Sequence, residues 1–498
     1  MHVVASALLV SLLVAACSGS SDDSGSGPDP TNAPSGSTAP GNANEIDRSQ
    51  RFASLDTYCK PATEEPEEAP EATDEGITAD EISITHIRVQ LEQLQDLGFA
   101  IPLGDTADQA ETFVKIINER CGGIHGRKLK LSLVEAPPTA PEGQDPAAIA
   151  QSACIKATED NKAVFAWSGT GWGGQGGASC VTGDHDTVYL TTYTISPEDL
   201  ESSENRLYST TLSPADGLAA AAKVLDEDGA FDGKKVGVVM ADAPGEPEIV
   251  EQGLLNTLED LGADVVRTDV IGCNGGNICN GNINASVSGM KADGVDVIFP
   301  LLNVISLPGY LQEMVTQGFK PGDVQFYQTG YNAQAGDLVS SKVVEFGGKE
   351  AGALYNGTII IAPDRTGAFR MPGFKPSEFG EMCNAEYQKE GGDKYEADDP
   401  ETNSAYGATA GACSFVRIIA RAIDMAGPNP TRQDLAEAVE NLGVIDGDDT
   451  IPPNFAPGKY TAPNELNRLK WNYPCPPDKK PFDGMCILPE GESFPIPS

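Results

Sequence analysis

From Ile77 onward the chain alternates short apolar strand signals with amphipathic helix signals, and it does so in two successive runs. Strands separated by helices of this length pair in parallel through right-handed crossovers, so each run predicts a parallel sheet with helices on both faces. In the first run EISITHIRV (81–89), LKLSLVEA, AVFAWSG (163–169) and TVYLTTY (187–193) read as strands. Between them, Ala110, Phe113, Val114 and Ile117 form a stripe at helical spacing, with Thr106 and Gln109 at capping-box positions, and 146–159 reads as a second helix. The second run opens with a helix carrying Leu218, Ala222 and Leu225, followed by the strands KKVGVVMAD (234–242), DVVRTDVIG (264–272), VDVIFPLL (295–302) and VQFYQTG (324–330). After TIIIAP (358–363) the signal turns helical at 376–390, 404–426 and 431–442, and the tail from Ile451 is rich in proline. Helices alone cannot build a third α/β unit, so they are expected to pack back on the two doubly wound lobes.

Composition narrows the function. With 74 Asp and Glu against 33 Lys and Arg, the net charge of −41 repels nucleic acid and anionic lipid headgroups. Four scattered histidines and the lack of any CxxC pair argue against a metal centre, and no cofactor is expected. The acidic runs Asp226, Glu227, Asp228, Asp232 and Asp446, Asp448, Asp449 miss the EF-hand spacing and read as solvated turns. There is no GxSxG elbow and no HExxH, so an enzyme is not expected; a secreted hydrolase is the weaker alternative.

The N-terminus carries an apolar run, residues 3–15, of signal-core length rather than the roughly 20 residues of a spanning helix. It ends in Val14-Ala15-Ala16-Cys17, which resembles the lipobox of bacterial lipoproteins, although Met1-His2 lacks the usual positive charge. That resemblance implies a signal peptide over 1–16 and a lipid on Cys17, holding the protein on the outer face of the cell membrane. Residues 17–76, rich in Ser, Gly, Pro and acidic side chains, are expected to form a tether and spacer, with 45–60 ordered around Cys59. The other ten cysteines are an even number in an exported chain and read as disulfides. Closeness in sequence pairs Cys273 with Cys279 and Cys475 with Cys486, while Cys383–Cys413 would join neighbouring helices; Cys154–Cys180 and Cys59–Cys121 are the other two expected pairs.

The segment TADQAETFVKIINERCGGIHGRKLKL (106–131) resembles a signature of type I solute-binding proteins, the branched-chain amino-acid-binding branch of the periplasmic-binding-protein superfamily. Asn118, Gly122, Gly123, Ile124, Gly126, Arg127 and Lys128 match in order, and GITADEISI (76–84) and AGPNPTRQDLAEAVENLG (426–443) extend the likeness. The resemblance implies two lobes joined by three crossovers near 209–213, 357–363 and 442–452. Lobe 1 would comprise 77–211 and 360–446, lobe 2 212–359 and 447–498. It further implies a small-molecule ligand in the cleft and an ABC permease as partner; a tethered sensor of the same fold is the alternative.

Ligand contacts are expected at the carboxyl ends of strands. In the first lobe these are Ser168, Thr170 and Trp172 in a Gly-rich turn whose amides could attract an anion, then Thr191, Thr192 and Tyr193; in the second lobe they are Asn303 and Tyr331. Each is equally readable as a packed turn, a polar strand end or ordinary loop polarity. Amino-acid binders of the resembled family often carry an acidic residue after the strand equivalent to 324–330, where this chain has Gly330-Tyr331-Asn332, which points to a more neutral polar ligand.

Overall fold

The computed structural model describes residues 45–62, 68–97, 100–138, 144–174, 176–192, 195–243, 245–273, 279–447 and 449–497. The signal peptide, Cys17 and Tyr193 lie outside the described residues. Within the unit formed by 42–498, strands β1 (Glu81–Val89), β2 (Lys128–Ala136), β3 (Phe165–Ser168), β4 (Val188–Thr191) and β5 (Leu207–Ser209) form a sheet in the order β2-β1-β3-β4-β5, every pairing parallel. A second sheet contains β6 (Lys235–Ala241), β7 (Asp264–Ile271), β8 (Val297–Leu301), β9 (Gln325–Thr329) and β10 (Ile359–Ala362). Its parallel part runs β10-β9-β8-β6-β7. Gly443–Val444 (β11) and Asn454–Phe455 (β12) form a small antiparallel pair. The tail then adds β13 (Glu465–Asn472), β14 (Cys486–Pro489) and β15 (Phe494–Pro495), with β13 antiparallel to β10 and joined by the other two.

Both sheets are the doubly wound α/β kind. Strand order reverses between β1 and β3 in the first and between β6 and β8 in the second, and those reversals are where such sheets open a crevice. The central strands β3 and β8 are buried along their whole length, as parallel strands covered on both faces must be. Around them, Ile82, Ile84 and Trp167 pack toward helices Asn403–Ala426 and Arg432–Glu440, while Ile87, Val134 and Tyr189 fill the opposite face.

The segment that carries the family resemblance is a joint between helix and strand. The Asn118 carboxamide exchanges two hydrogen bonds of 2.8 Å with the backbone of Leu129. Gly123 has φ +75°, and a Cβ there would stand 2.2 Å from the Arg127 carbonyl oxygen, so only glycine fits. The buried Arg127 guanidinium donates to the carbonyls of Thr78 at 2.7 Å and Glu71 at 2.6 Å, and to Pro428. It thereby clips three separate stretches of chain together.

Several boundaries differ from the sequence expectations. Residues 45–60 are ordered around Cys59 as expected, but as part of the first lobe rather than of the tether: Phe52 and Tyr58 are buried in the first core, and Arg417 donates to the carbonyls of Phe52 and Ser54 at 2.8 and 3.0 Å. The helix Thr106–Lys115 is capped by Asp105, whose carboxylate accepts from Ala107 and Asp108, rather than by a Thr106–Gln109 box. Strand β10 pairs in the second sheet, so the middle crossover starts after Ala362. Phe455 and Ala462 sit in the first core, where Phe455 meets the Tyr208 ring at 5.1 Å. The chain therefore re-enters the second lobe only at Glu465 rather than at 447. All five expected disulfides are present: Cys59–Cys121, Cys154–Cys180, Cys273–Cys279, Cys383–Cys413 and Cys475–Cys486. Among the described residues no helix is long and apolar enough to cross a membrane.

Candidate ligand-binding cleft

Three contiguous cavities lie at the carboxyl ends of the two parallel sheets and meet at Thr192. The largest, about 550 Å³, is lined by Thr192 and Thr210 from the first lobe and by Thr329, Tyr331 and Asn332 from the second, with Asp364 on the crossover. A pocket of about 270 Å³ extends from it into the first lobe, between His86, Gln109, Trp167, Thr170 and Phe415. A third, about 200 Å³, runs past Phe415 and Ser414 to Asp446 and Asp449.

The structure divides the sequence-predicted residues into two groups. Thr170, Thr192 and Tyr331 line the cavities. Ser168, Trp172, Thr191 and Asn303 are not among the lining residues, and their hydrogen bonds show why. The fully buried Ser168 Oγ accepts from the amides of Trp172 at 3.2 Å and Thr170 at 3.4 Å. The amides expected to attract an anion are thus turned inward onto their own strand end. Trp172 packs edge-on against Tyr189 at 5.7 Å, and its carbonyl accepts from the hydroxyls of Tyr189 and Thr191. It is a core residue of the sheet's other face. Asn303 caps the helix Ser306–Thr316, its Oδ1 accepting from Ile305 at 3.1 Å and Ser306 at 3.0 Å.

Carboxylates that the sequence reading did not assign to a site stand here. Asp364 lies against Gly330, where an added Cβ would stand 3.2 Å from its Oδ2. Asp449 lines two of the cavities. Glu246 follows β6 and hydrogen-bonds the Tyr331 side chain; burial pushes its carboxyl up to about 7, against the opposing pull of that hydrogen bond. Asp364 stands two residues past β10 and Glu246 opens the short helix after β6, so the strand-end rule reaches both positions, but nothing local marks them out from other acidic residues. Asp446, expected as part of a solvated turn, is instead buried and ion-paired with Arg48 at 2.5 Å and Arg417 at 3.3 Å.

The first-lobe pocket sits at the strand-order reversal. His86 on β1 is in register with Trp167 on β3, and the rings stack at 5.0 Å with 3° between their planes. Burial drives the imidazole down to about 3, with the nearby Arg88 charge adding to the effect, so the ring is neutral at ordinary pH. Among the described residues, the one grouping with metal-ligand geometry is Cys154, Cys180 and His185, and both of its sulfurs are spent in a disulfide.

A family model described as periplasmic binding protein matches residues 99–467. The fold is similar to that of a solute-binding protein of an ABC transporter from R. palustris in complex with 4-hydroxybenzoate, with TM-score 0.55, 16% identity, and coverage of 84% of this chain and 98% of that one. A fatty acid ABC transporter substrate-binding protein from Thermomonospora curvata gives TM-score 0.54 at 17% identity over 87% and 96% of the two chains. A branched-chain amino acid ABC transporter protein from Thermus thermophilus with bound valine gives 0.52 at 15% over 84% and 97%. A search of curated proteins gave no match.

Proposed function

The chain belongs to the periplasmic-binding-protein family, and from that premise we propose that it is an extracytoplasmic solute-binding protein that captures a small polar molecule between its lobes and delivers it to an ABC importer. The observation that carries this reading is the cavity of about 550 Å³ lined from both lobes at the carboxyl ends of both parallel sheets, the place where doubly wound sheets present ligand-binding groups. Thr192 and Thr170 serve the first lobe, Tyr331 the second, with Asp364 and Asp449 beside them. These carboxylates disfavour an anionic ligand and favour a neutral or cationic one such as an amino acid, an amide or a related compound. Relatives of the same fold are named for an aromatic acid, fatty acids and valine, so the side chains of the cleft, not the fold, select the solute. In this reading Cys17 carries a lipid that keeps the protein beside its permease, and the protein performs no covalent chemistry.

Native mass spectrometry of gently purified protein tests the capture reading. A co-purified small molecule, lost from a Tyr331→Ala variant, is the expected result; a wild type that stays empty after exposure to extracts and small-solute libraries overturns it. Cys17→Ser should move the protein from membrane to medium, and a wild type without a lipid mass shift overturns the anchor.

A further inference from the structure

We infer that Arg48, on the segment 45–60, is a positioning residue of the cleft: it holds the Asp446 carboxylate away from the cavity and so fixes the wall that the third crossover contributes. This rests on the cleft reading and adds to it a residue from outside the matched range 99–467. Ile445, Asp446 and Gly447 line the cavity of about 200 Å³ that meets the others at Thr192. Asp446 is part of that wall, yet its side chain is only 2% exposed. Its Oδ1 lies 2.5 Å from Arg48 Nη1 and its Oδ2 3.3 Å from Arg417 Nε, so the carboxylate faces two guanidiniums instead of the cavity.

Two sets of contacts hold this stretch of the crossover. From helix Asn403–Ala426, Ser414 Oγ donates to the Asp446 carbonyl at 3.0 Å, and Arg421 donates to the carbonyls of Val444 at 3.0 Å and Leu442 at 3.4 Å. From the N-terminal segment, Ile46 and Ala53 pack with Val444. Arg48 Nη1 also donates to the Ala53 carbonyl at 2.9 Å, so one guanidinium closes its own turn and clamps the crossover together with it. The segment is itself pinned to the first lobe by Cys59–Cys121 and by Arg51, which donates to the carbonyls of Cys121 at 2.8 Å and Gly123 at 3.0 Å. Charge makes the Arg48 contact decisive. A buried carboxylate has lost its hydration and is stable only while paired. Arg417 divides its donors between Asp446 and the carbonyls of Phe52 and Ser54, so it neutralises Asp446 only in part. With Arg48 uncharged, the carboxylate regains water by turning to the cavity at its side, which brings a second carboxylate beside Asp449 and displaces the wall.

Carboxylate footprinting with carbodiimide and glycine ethyl ester, together with hydrogen exchange read by mass spectrometry, tests this on the full chain. In the wild type Asp446 should stay unlabelled, like the fully buried Glu465. Arg48→Met keeps most of the side chain's bulk without its charge; it should label Asp446 while Glu465 stays protected, and it should speed exchange over 442–447 about 10-fold. Arg48→Lys restores the charge and should return both readouts toward wild type. Arg51→Met, in the same segment but bonded to Cys121 and Gly123, should change neither. Asp446→Asn breaks the pair from the other side and should speed the same amides by a similar factor. Asp446 still protected in Arg48→Met, no recovery in Arg48→Lys, unchanged exchange in Asp446→Asn, or an equal response in Arg51→Met overturns the proposal, the last because it would mean a general loosening of the segment. Both measurements are made without solute, so a null result removes Arg48 from the site and leaves the cleft reading standing, whereas an empty cleft in native mass spectrometry removes that reading and leaves the Arg48–Asp446 coupling as measured.

Discussion

Two residues show how a single side chain's surroundings set its role. Trp172, beside a Gly-rich turn, looks like a ligand anchor in sequence, yet Gly177 leaves room for its ring, which a Cβ there would approach to 2.8 Å, and the ring is 7% exposed. Trp172→Ala should therefore cost about 3–5 kcal/mol of folding stability while leaving solute affinity of the folded protein unchanged. Urea unfolding with calorimetry checks both halves, and a stable variant with lost affinity would return Trp172 to the site. His86 and Glu246 make opposite contributions to pH dependence. For His86 the folded value, about 3, lies below the ordinary 6.5. Its contribution is complete above pH 6.5 and is lost as pH falls toward 3, amounting to about 2 kcal/mol by pH 5. For Glu246 the folded value, about 7, lies above 4.5, so its contribution is present below 4.5 and lost as pH rises through 7. His86→Phe, which keeps a ring on Trp167, should flatten the acid limb of stability measured from pH 7 to 5, and Glu246→Gln should flatten the limb from 5 to 8. An unchanged acid limb in His86→Phe would mean that the imidazole is not held neutral.

At the scale of elements, most strands were legible because β-branched and apolar runs between helical stripes leave few alternatives: β1 to β4 and β6 to β10 fall where those runs stand, whereas the three-residue β5 has no such run. What escaped the sequence were elements whose identity depends on a distant partner. Glu465–Asn472 is an added strand on β10 that is buried over its first three residues and alternates buried and half-buried positions only beyond them, a short alternation that its proline-rich neighbourhood masked. The helical stretch Asp337–Tyr355, bent at Gly348 with φ +80°, lacks a strong apolar stripe. For residues 45–60 the order around Cys59 and the Cys59–Cys121 bond were legible, but their packing into the first lobe rests on the non-local Arg417 contacts. Site residues were legible in part: Thr192 and Tyr331 stand just past strand ends and could be read, whereas Asp364, as far past β10 as Tyr331 is past β9, was not singled out because a lone acidic residue in so acidic a chain carries no signal. Disulfides offer a quantitative test at this scale. Cys383–Cys413 closes 30 residues and staples helix Glu378–Lys389 to Asn403–Ala426, so Cys383→Ala/Cys413→Ala should lower stability by about 3–4 kcal/mol, model-dependent. Cys273→Ala/Cys279→Ala, which opens a separation of only 6 residues, should cost less; the reverse order in chemical denaturation would refute the loop-entropy argument.

Across the whole molecule, the three crossovers run as a bonded group rather than as independent linkers. Ser209 donates its amide to Tyr460 at 2.8 Å and accepts from Ala462 at 2.9 Å, and Asn467 donates to the Pro363 carbonyl at 3.0 Å. Segments tied side by side resist sliding and twisting more than bending, so the motion they permit is a hinge that narrows the cavity between Thr192 and Tyr331. A solute touching both lobes would hold the closed form, and at 100 times its Kd it would stabilise the fold by about 2.7 kcal/mol. The expected outcome is a smaller radius of gyration by X-ray scattering and a raised Tm when solute is added. Because closure needs contacts from both sides, Thr192→Val and Tyr331→Ala should each abolish the change in radius at a solute concentration that saturates the wild type, even where residual binding to one lobe persists in calorimetry. If solute binds with full affinity while the radius stays constant in wild type and variants alike, capture occurs on one lobe alone and the hinge plays no part in it.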